Sequence, residues 1–240
     1  MGSFFAGVKA GTLGGILYIG GLVAFNVFLL FLFKADAISV ISGSDKCPSI
    51  ATGNATSAED CFNLVVSVYP ELLGFEGFIM AVAFSGIFGA VYDSFPFDGA
   101  VARGETVAAA LGVSLNGLGF AGLFFARTQS LVLGVFLILW TAVYGVVLGR
   151  LYARYTGTVR FEDTGRAEAK VMVDGRDQTG RKRTFALKSI HRLTAEPPEG
   201  RSFKKWIQSG GVTVNDLMSF ETEFELAGDG SLRAETTAEN

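Results

Sequence analysis

Histidine and cysteine, the residues that most often build metal and redox sites, are scarce in this chain. Its 240 residues include one histidine, His191, and two cysteines, Cys47 and Cys61. No cysteine or carboxylate stands at ligand spacing around His191, so the pattern of a zinc site is missing. The sequence also contains no catalytic-triad pattern, no dinucleotide fingerprint and no redox motif. We therefore expect no metal, no cofactor and no standard active site.

Charged residues are also scarce, but only in the first part of the chain. The first 149 residues hold five Lys or Arg and nine Asp or Glu, and four apolar runs fill them: 11–33, 72–92, 107–126 and 131–149. Each run is about 20 residues long, which a helix needs to cross the hydrocarbon core of a bilayer. The sequence predicts an α-helical polytopic membrane protein, with a short N-terminus, 1–10, and a bundle of four transmembrane helices, 11–149.

The first run also has features of a signal peptide, because Lys9 precedes it and Ala35-Asp36-Ala37 follows it. The apolar core of a signal peptide is about 7–15 residues long, and this run is longer. We interpret it as a helix of the mature protein.

Basic residues near the ends of the apolar runs predict the orientation, because they are enriched on the cytoplasmic side. With both termini inside, the cytoplasmic side holds Lys9, Arg103, Arg150, Arg154 and Arg160, and the other side holds Lys34, Lys46 and Arg127. We therefore expect the loop 34–71 outside and both termini in the cytoplasm. The plasma membrane is the expected location.

Two patterns in the loop 34–71 agree with an outward position. Cys47 and Cys61 are the only cysteines of the chain, and a disulfide between them would persist in an oxidising compartment. Asn54-Ala55-Thr56 is an acceptor pattern for N-glycosylation. The alternative for the cysteines is two unpaired thiols.

Five polar residues within the predicted spans are candidates for an intramembrane site: Glu76, Asn116, Asn26, Ser85 and Ser114. A carboxylate inside a span is often functional, although Glu76 would be hydrated if it lies in the interfacial region. A mid-span asparagine usually forms a hydrogen bond with a neighbouring helix. The sequence leaves open whether these residues hold helices together or line a path.

The last 91 residues have the charge density of a soluble protein. Alternating apolar and polar residues predict a small α+β domain over 150–234. The predicted strands are 158–163, 167–174, 185–193 and 220–226, and Ser202–Gln208 is predicted as a helix. Asp174-Gly175 is predicted as a hairpin turn. Gly228-Asp229-Gly230 is predicted to turn into a last short strand, and residues 235–240 are predicted to be disordered.

Basic residues outnumber acidic ones by fourteen to seven between Arg150 and Lys205. Basic segments near an inner leaflet are attracted to anionic lipid. The candidates for contact with lipid head groups are Arg150, Arg154, Arg181, Lys182 and Arg183. A solvated sheet surface is the alternative. A phosphate-binding loop at Gly175–Thr184 is rejected, because Arg181 stands where that motif requires lysine.

Small residues occur on every predicted span, and small residues let helices approach closely in lipid. We therefore expect a non-enzymatic membrane protein that assembles with itself or with a partner membrane protein through these faces. Its tail would be a cytoplasmic interaction domain, and no nucleic-acid partner is expected. The alternative is a small channel or transporter with Glu76 and Asn116 along the path.

Overall fold

The computed structural model describes residues 3–43, 57–96, 99–117, 127–162 and 169–238. The helices are α1 (Phe4–Leu32), α2 (Lys34–Gly43), α3 (Ala58–Val91), α4 (Ala100–Gly117) and α5 (Arg127–Tyr155), with a 3₁₀ turn at Tyr92–Ser94. The strands are β1 (Thr156–Phe161), β2 (Lys170–Val173), β3 (Arg176–Asp177), β4 (Lys182–Ala186), β5 (Ile190–Glu196), β6 (Arg201–Val214) and β7 (Glu221–Ala238).

The chain forms two compact units. The helical unit contains Gly7–Phe88 and Phe97–Leu151. The sheet unit contains Met1–Ala6, Gly89–Pro96 and Tyr152–Asn240.

Three helices of the described part are long and apolar enough to cross a membrane: Phe4–Leu32, Gly74–Ser94 and Gly134–Tyr155. They correspond to the first, second and fourth predicted spans, so an integral membrane protein is supported. The predicted span 107–126 is described only as far as Gly117, within α4, and its remaining residues lie outside the described ranges.

Helix α3 begins well before the predicted span 72–92. The Ser57 hydroxyl accepts the Asp60 N–H at 3.1 Å and donates to the Asp60 carboxylate at 2.8 Å. This reciprocal bonding resembles a capping box, which satisfies N–H groups of the first turn. Pro70 therefore lies inside a helix rather than before one. Part of the predicted loop 34–71 is helical, whereas Cys47 and Asn54 lie outside the described residues.

Glycines bring α1 and α3 together in an antiparallel order. Gly11 lies against Ser85, and a Cβ at Gly15 would stand 3.3 Å from the Ala81 Cβ. Further along, a Cβ at Gly77 would lie 2.7 Å from Ile19. A side chain at Gly11 would overlap the Ser85 Cβ, which cannot move independently of its backbone. The small face predicted on α1 is therefore used inside the chain.

Glycines also pack α4 on α5. Gly104 faces the backbone of Gly145, and Gly149 faces the backbone of Ala100. These contacts run in antiparallel order.

The strands form one curled seven-stranded sheet in the order β3-β2-β5-β7-β1-β4, with β6 also paired to β7. Strands β1 and β7 pair in parallel and the other pairs are antiparallel. Asp174 and Gly175 join β2 to β3 with φ angles of 48° and 75°. Positive φ at both positions is typical of the type I′ turn, so the predicted hairpin turn is confirmed.

The core of the sheet unit lies inside the curl. Its largest fully buried side chains are Trp206, Phe161 and Phe224. The Trp206 indole N–H donates to the Ser219 carbonyl at 2.8 Å. Burial of a large aromatic side chain with its polar atom satisfied is strongly stabilising.

The predicted helix Ser202–Gln208 is wrong, because these residues belong to β6. A register shift between Phe203 and Lys205 interrupts the alternation of the strand. The rings of Phe203 and Trp206 therefore meet, with centroids 5.3 Å apart, despite their odd spacing. Apolar residues three apart imitate the period of a helix, which explains the error. After Tyr155, the described residues contain strands and turns but no helix.

Three further details of the tail differ from prediction. A turn at Leu187 and Lys188 divides the predicted strand 185–193. The glycines Gly228 and Gly230 lie within β7 instead of turning the chain. Strand β7 also continues to Ala238, so residues 235–238 are ordered in a strand.

Candidate functional site

The predicted intramembrane residues do not form one site among the described side chains. Glu76 is exposed on α3, whereas Asn26 and Ser85 are buried. Ser114 and Asn116 belong to α4, but their side chains lie outside the described part of the chain.

Ser85 serves as a link between α3 and α5. Its hydroxyl donates to the Ala81 carbonyl at 2.7 Å, which leaves it to accept from the Tyr144 hydroxyl at 2.8 Å. The Tyr144 ring packs on Tyr18 at 4.7 Å, and the Tyr18 hydroxyl bonds Thr141 at 3.1 Å. These closed hydrogen bonds favour the structural role for Ser85.

Asn26 bonds within its own helix, where its side-chain N–H donates to the Leu22 carbonyl at 2.8 Å. Its side-chain oxygen is buried and has no hydrogen-bond partner in the described part of the chain. Such an oxygen is costly to bury unless it is satisfied.

Four of the five basic residues predicted to contact lipid head groups are exposed, and the fifth contacts other side chains. Arg150, Arg154, Arg181 and Lys182 are exposed. Arg183 is partly buried, and its guanidinium donates to the Gln178 side chain at 2.8 Å and lies 4.0 Å from Asp93.

A cavity of about 510 Å³ opens in the sheet unit, and one of its walls is polar. That wall contains Asp174, Ser189 and His191. The His191 Nδ1 lies 2.7 Å from the Asp174 carboxylate, and the His191 Nε2 lies 2.8 Å from the Ser189 hydroxyl. A carboxylate, an imidazole and a hydroxyl are thus joined in one hydrogen-bonded chain, the Ser–His–Asp chain.

The fold brings these residues together through the pairing of two strands. Strands β2 and β5 pair with Val173 opposite Leu193, so the turn after β2 reaches the start of β5. The Asp174 carboxylate is also fixed by the Arg192 N–H at 3.0 Å. The rings of Phe185 and Phe224, with centroids 4.5 Å and 5.5 Å from the imidazole, hold the ring from its sides.

The protonation of His191 decides how the Ser189 hydroxyl is used. Nδ1 must carry a proton, because a carboxylate only accepts hydrogen bonds. With Nε2 unprotonated, the Ser189 hydroxyl donates to it. With Nε2 protonated, the imidazole donates to Ser189, and the hydroxyl donates to the Ala186 carbonyl at 2.6 Å. The same atoms therefore support two hydrogen-bonding states.

Unusual backbone conformations flank the chain of hydrogen bonds. Within the described ranges, two non-glycine residues have positive φ: Asp174 at 48° and Lys188, directly before Ser189, at 61°. Such conformations cost free energy and persist where the surroundings enforce them, often at functional sites.

The remaining walls combine positive charge with aromatic surface. Arg176 and Arg183 line the cavity together with Phe4, Phe5 and Phe185. Phe5 is 81% exposed although it is a large apolar residue. The cavity therefore offers cationic groups and an apolar surface to the same ligand.

Sequence reasoning missed this site. One signal was available, because Ser189 and His191 are two apart, which places them on one face of a strand. Asp174 is distant in the sequence, and only the pairing of β2 with β5 brings it to His191. Comparison with protein-family models, with curated proteins and with solved structures finds no match for this chain.

Proposed function

We propose that this chain is an integral membrane protein whose sheet unit binds the head group of an anionic lipid in the cavity. The observation that carries the proposal is the composition of the cavity lining, which combines Arg176 and Arg183 with aromatic surface. Basic side chains bind phosphate and carboxylate groups through charge-assisted hydrogen bonds. Aromatic side chains next to them suit the apolar part of an amphiphile.

The charge balance of the walls supports an anionic ligand. Among the described residues that line the cavity, Asp174 supplies the one carboxylate, and it already accepts bonds from His191 and Arg192. The Arg176 and Arg183 guanidinium groups stay charged at every physiological pH. A bound anion would therefore meet a net positive wall.

The apolar wall supports a lipid rather than a soluble anion. Phe4 and Phe5 are the first residues of α1, which is long enough to cross a membrane. Exposed apolar surface of this kind is typical of sites that contact a membrane or an apolar ligand. A ligand that touches both groups of residues would have a charged head and an apolar tail.

We also propose four spans, and the ends of three helices support this number. The Tyr152 hydroxyl, near the end of α5, accepts the Ser3 N–H at 3.0 Å and donates to the Gly89 carbonyl of α3 at 3.3 Å. The start of α1 and the ends of α3 and α5 therefore meet. A chain that leaves by α1 and returns by α3 must leave again before α5 returns it. Residues 97–126, which include α4, would make that crossing.

The distribution of basic residues supports a cytoplasmic position for the sheet unit at the plasma membrane. The loop that contains Cys47 and Asn54 would then face outwards. A Cys47–Cys61 disulfide and glycosylation of Asn54 are proposals that follow from this orientation.

Self-assembly remains a proposal with a narrower basis. Most described glycines of the helices pack within the chain, but Gly20, Gly74 and Gly134 have no neighbour within 4 Å. Of these, Gly20 on α1 and Gly74 on α3 would supply the small faces for a second copy or a partner membrane protein. Among the described side chains, no arrangement favours the channel over the lipid-binding protein.

The proposal is tested by lipid binding to the purified full chain in mild detergent. Native mass spectrometry or flotation with vesicles would compare phosphatidylglycerol with phosphatidylcholine. We expect preferential binding of phosphatidylglycerol and a loss of about tenfold or more in affinity for Arg176→Gln, since a lost bond to a charged group typically costs about 1.5–3 kcal/mol. Binding of glycerol phosphate, measured in the same way, tests whether the head group binds without its acyl chains.

Arg192→Gln is the matched control, because it removes the same charge from β5. Arg192 is exposed and forms an ion pair with Glu221 outside the cavity. Equal loss of binding in both variants would indicate general surface attraction. Equal binding of both lipids by the unchanged protein would overturn the proposal.

A further inference from the structure

We propose that Ser189 is a nucleophile that cleaves a carboxylic ester of the lipid bound in the cavity. This inference rests on the proposed lipid binding and adds a reaction to it. Ser189 would attack, His191 would act as general base, and Asp174 would be a positioning residue for the imidazole. The ligand class is an anionic amphiphile with an ester-linked acyl chain.

The geometry meets two requirements of nucleophilic catalysis. The nucleophile and the base must lie within hydrogen-bond reach, and a third group must orient the base. The distance from Ser189 to His191 is 2.8 Å, and that from His191 to Asp174 is 2.7 Å. The Asp174 carboxylate holds the proton on Nδ1, which leaves Nε2 to accept the hydroxyl proton.

The backbone and the cavity supply two further observations. Ser189 follows the left-handed Lys188, φ 61°, in the tight turn between β4 and β5. The left-handed residue is Lys188, so the backbone strain lies in the turn that places Ser189 on the cavity lining. The cavity, about 510 Å³, has the size of a typical small-molecule site.

The reaction would proceed in two balanced steps. As the Ser189 oxygen bonds to the ester carbonyl carbon, its proton passes to His191 Nε2. The ester C–O bond then breaks, and the leaving alcohol takes that proton. Water cleaves the acyl–Ser189 ester with the help of the same base, which frees the carboxylic acid and restores the serine. The positive charges of Arg176 and Arg183 would stabilise the negative charge that develops on the carbonyl oxygen.

The reaction depends on an unprotonated His191 Nε2. The charged groups on the cavity wall with the imidazole are Asp174 from the β2–β3 turn, Arg176 from β3 and Arg183 from β4. When Nε2 gains a proton, the Ser189 hydroxyl turns to the Ala186 carbonyl and is no longer activated.

Two measurements on the full chain in mixed micelles of detergent and phosphatidylglycerol test the inference. The first is release of free fatty acid, and the second is covalent labelling by a fluorophosphonate, located by peptide mass spectrometry. We expect the label on Ser189. We also expect the rate of fatty-acid release to fall by about 100-fold or more in Ser189→Ala and in His191→Gln. Asp174→Asn should slow release and change its pH profile. Ser209→Ala, an exposed serine bonded to Ser231, is the control and should behave like the unchanged protein.

Lipid binding measured on the same variants separates the two proposals. Binding without ester cleavage, or equal release by Ser189→Ala and the unchanged protein, overturns the nucleophile and leaves lipid binding standing. Absence of binding by the unchanged protein overturns lipid binding, and the reaction that rests on it fails too. Retained binding by Ser189→Ala, with its release abolished, supports both and shows that the variant is folded.

Discussion

At the scale of single residues, Thr179 connects two strands of the sheet unit through one side chain. Its hydroxyl oxygen accepts the Val171 N–H at 2.9 Å, and its own N–H donates to the Asp177 carboxylate at 2.9 Å. Hydrogen bonds from the Thr179 side chain, and then from its backbone N–H, lower the pKa of Asp177 below its usual value. Bonds that favour the ionised form stabilise the folded protein when that form is present.

The lowered pKa predicts how a Thr179→Val variant depends on pH. The contribution of Asp177 is fully present above the ordinary carboxyl pKa of about 4 and is lost as the pH falls through the lowered value. The variant should unfold at a lower temperature at neutral pH, and the difference should shrink in acid. Loss of the hydrogen bond to Val171 accounts for the part of the difference in unfolding temperature that does not change with pH. Thermal unfolding between about pH 7 and pH 2 measures the difference between the variant and the unchanged protein. Thr213→Val, at an exposed position of β6, is the control. A difference that does not change with pH would contradict the prediction.

The residue scale also explains why the candidate site was not predictable from the sequence. His191 has no acidic neighbour at ligand spacing along the chain, so it was interpreted as an isolated strand residue. Its partner Asp174 belongs to a turn that was predicted correctly as a turn. What the sequence does not give is which strands pair, and β2 pairs with β5 although β3 and β4 lie between them in the sequence. Local patterns predicted the parts of the site, and the sheet order determines their contact.

At the scale of elements, the close approach of α4 and α5 depends on glycines. A Cβ at Gly149 would overlap the Ala100 carbonyl, which is backbone and cannot move aside alone. Gly149→Ala should therefore destabilise the helical unit by about 1–3 kcal/mol, the usual cost of overpacking. Unfolding in increasing fractions of denaturing detergent, followed by circular dichroism, measures the change.

Gly134→Ala in the same helix is the matched control for that prediction. Nothing lies within 4 Å of a Cβ at Gly134, so the substitution adds no overlap. Alanine lowers the conformational entropy of the unfolded chain and should stabilise the helix by about 0.5–1 kcal/mol. Opposite signs for the two variants would support glycine-dependent packing, whereas equal effects would count against it.

Helices and strands were predictable from the sequence where a long apolar run or a regular alternation of residues continued without interruption. The long apolar runs predicted α1 and the later parts of α3 and α5, because their length alone indicates a membrane span. The errors occurred where the backbone departs from regular geometry, as at the register shift between Phe203 and Lys205. The glycines of the predicted turn serve close strand pairing instead. A Cβ at Gly230 would overlap the Ser209 carbonyl of β6, and a Cβ at Gly211 of β6 would overlap the backbone of Gly228.

At the scale of the whole molecule, the number of crossings decides on which side of the membrane the sheet unit lies. Three crossings by α1, α3 and α5 would leave the sheet unit on the side opposite the N-terminus. Ser3 nevertheless donates to Tyr152 within the sheet unit, which requires both on one side. An even number of crossings would satisfy that contact, and under the proposal of four spans the segment 97–126 would supply the fourth.

Cysteine labelling distinguishes three crossings from four. In a background with Cys47→Ser and Cys61→Ser, one new cysteine is introduced as Thr52→Cys or as Ser209→Cys. With four crossings, the loop and β6 lie on opposite sides, so an impermeant maleimide should label Thr52→Cys on intact cells and Ser209→Cys only after permeabilisation. Labelling of both on intact cells would indicate three crossings and contradict the proposal. The reverse pattern would keep four crossings but invert the orientation, which would place the cavity that we propose for lipid binding at the outer leaflet.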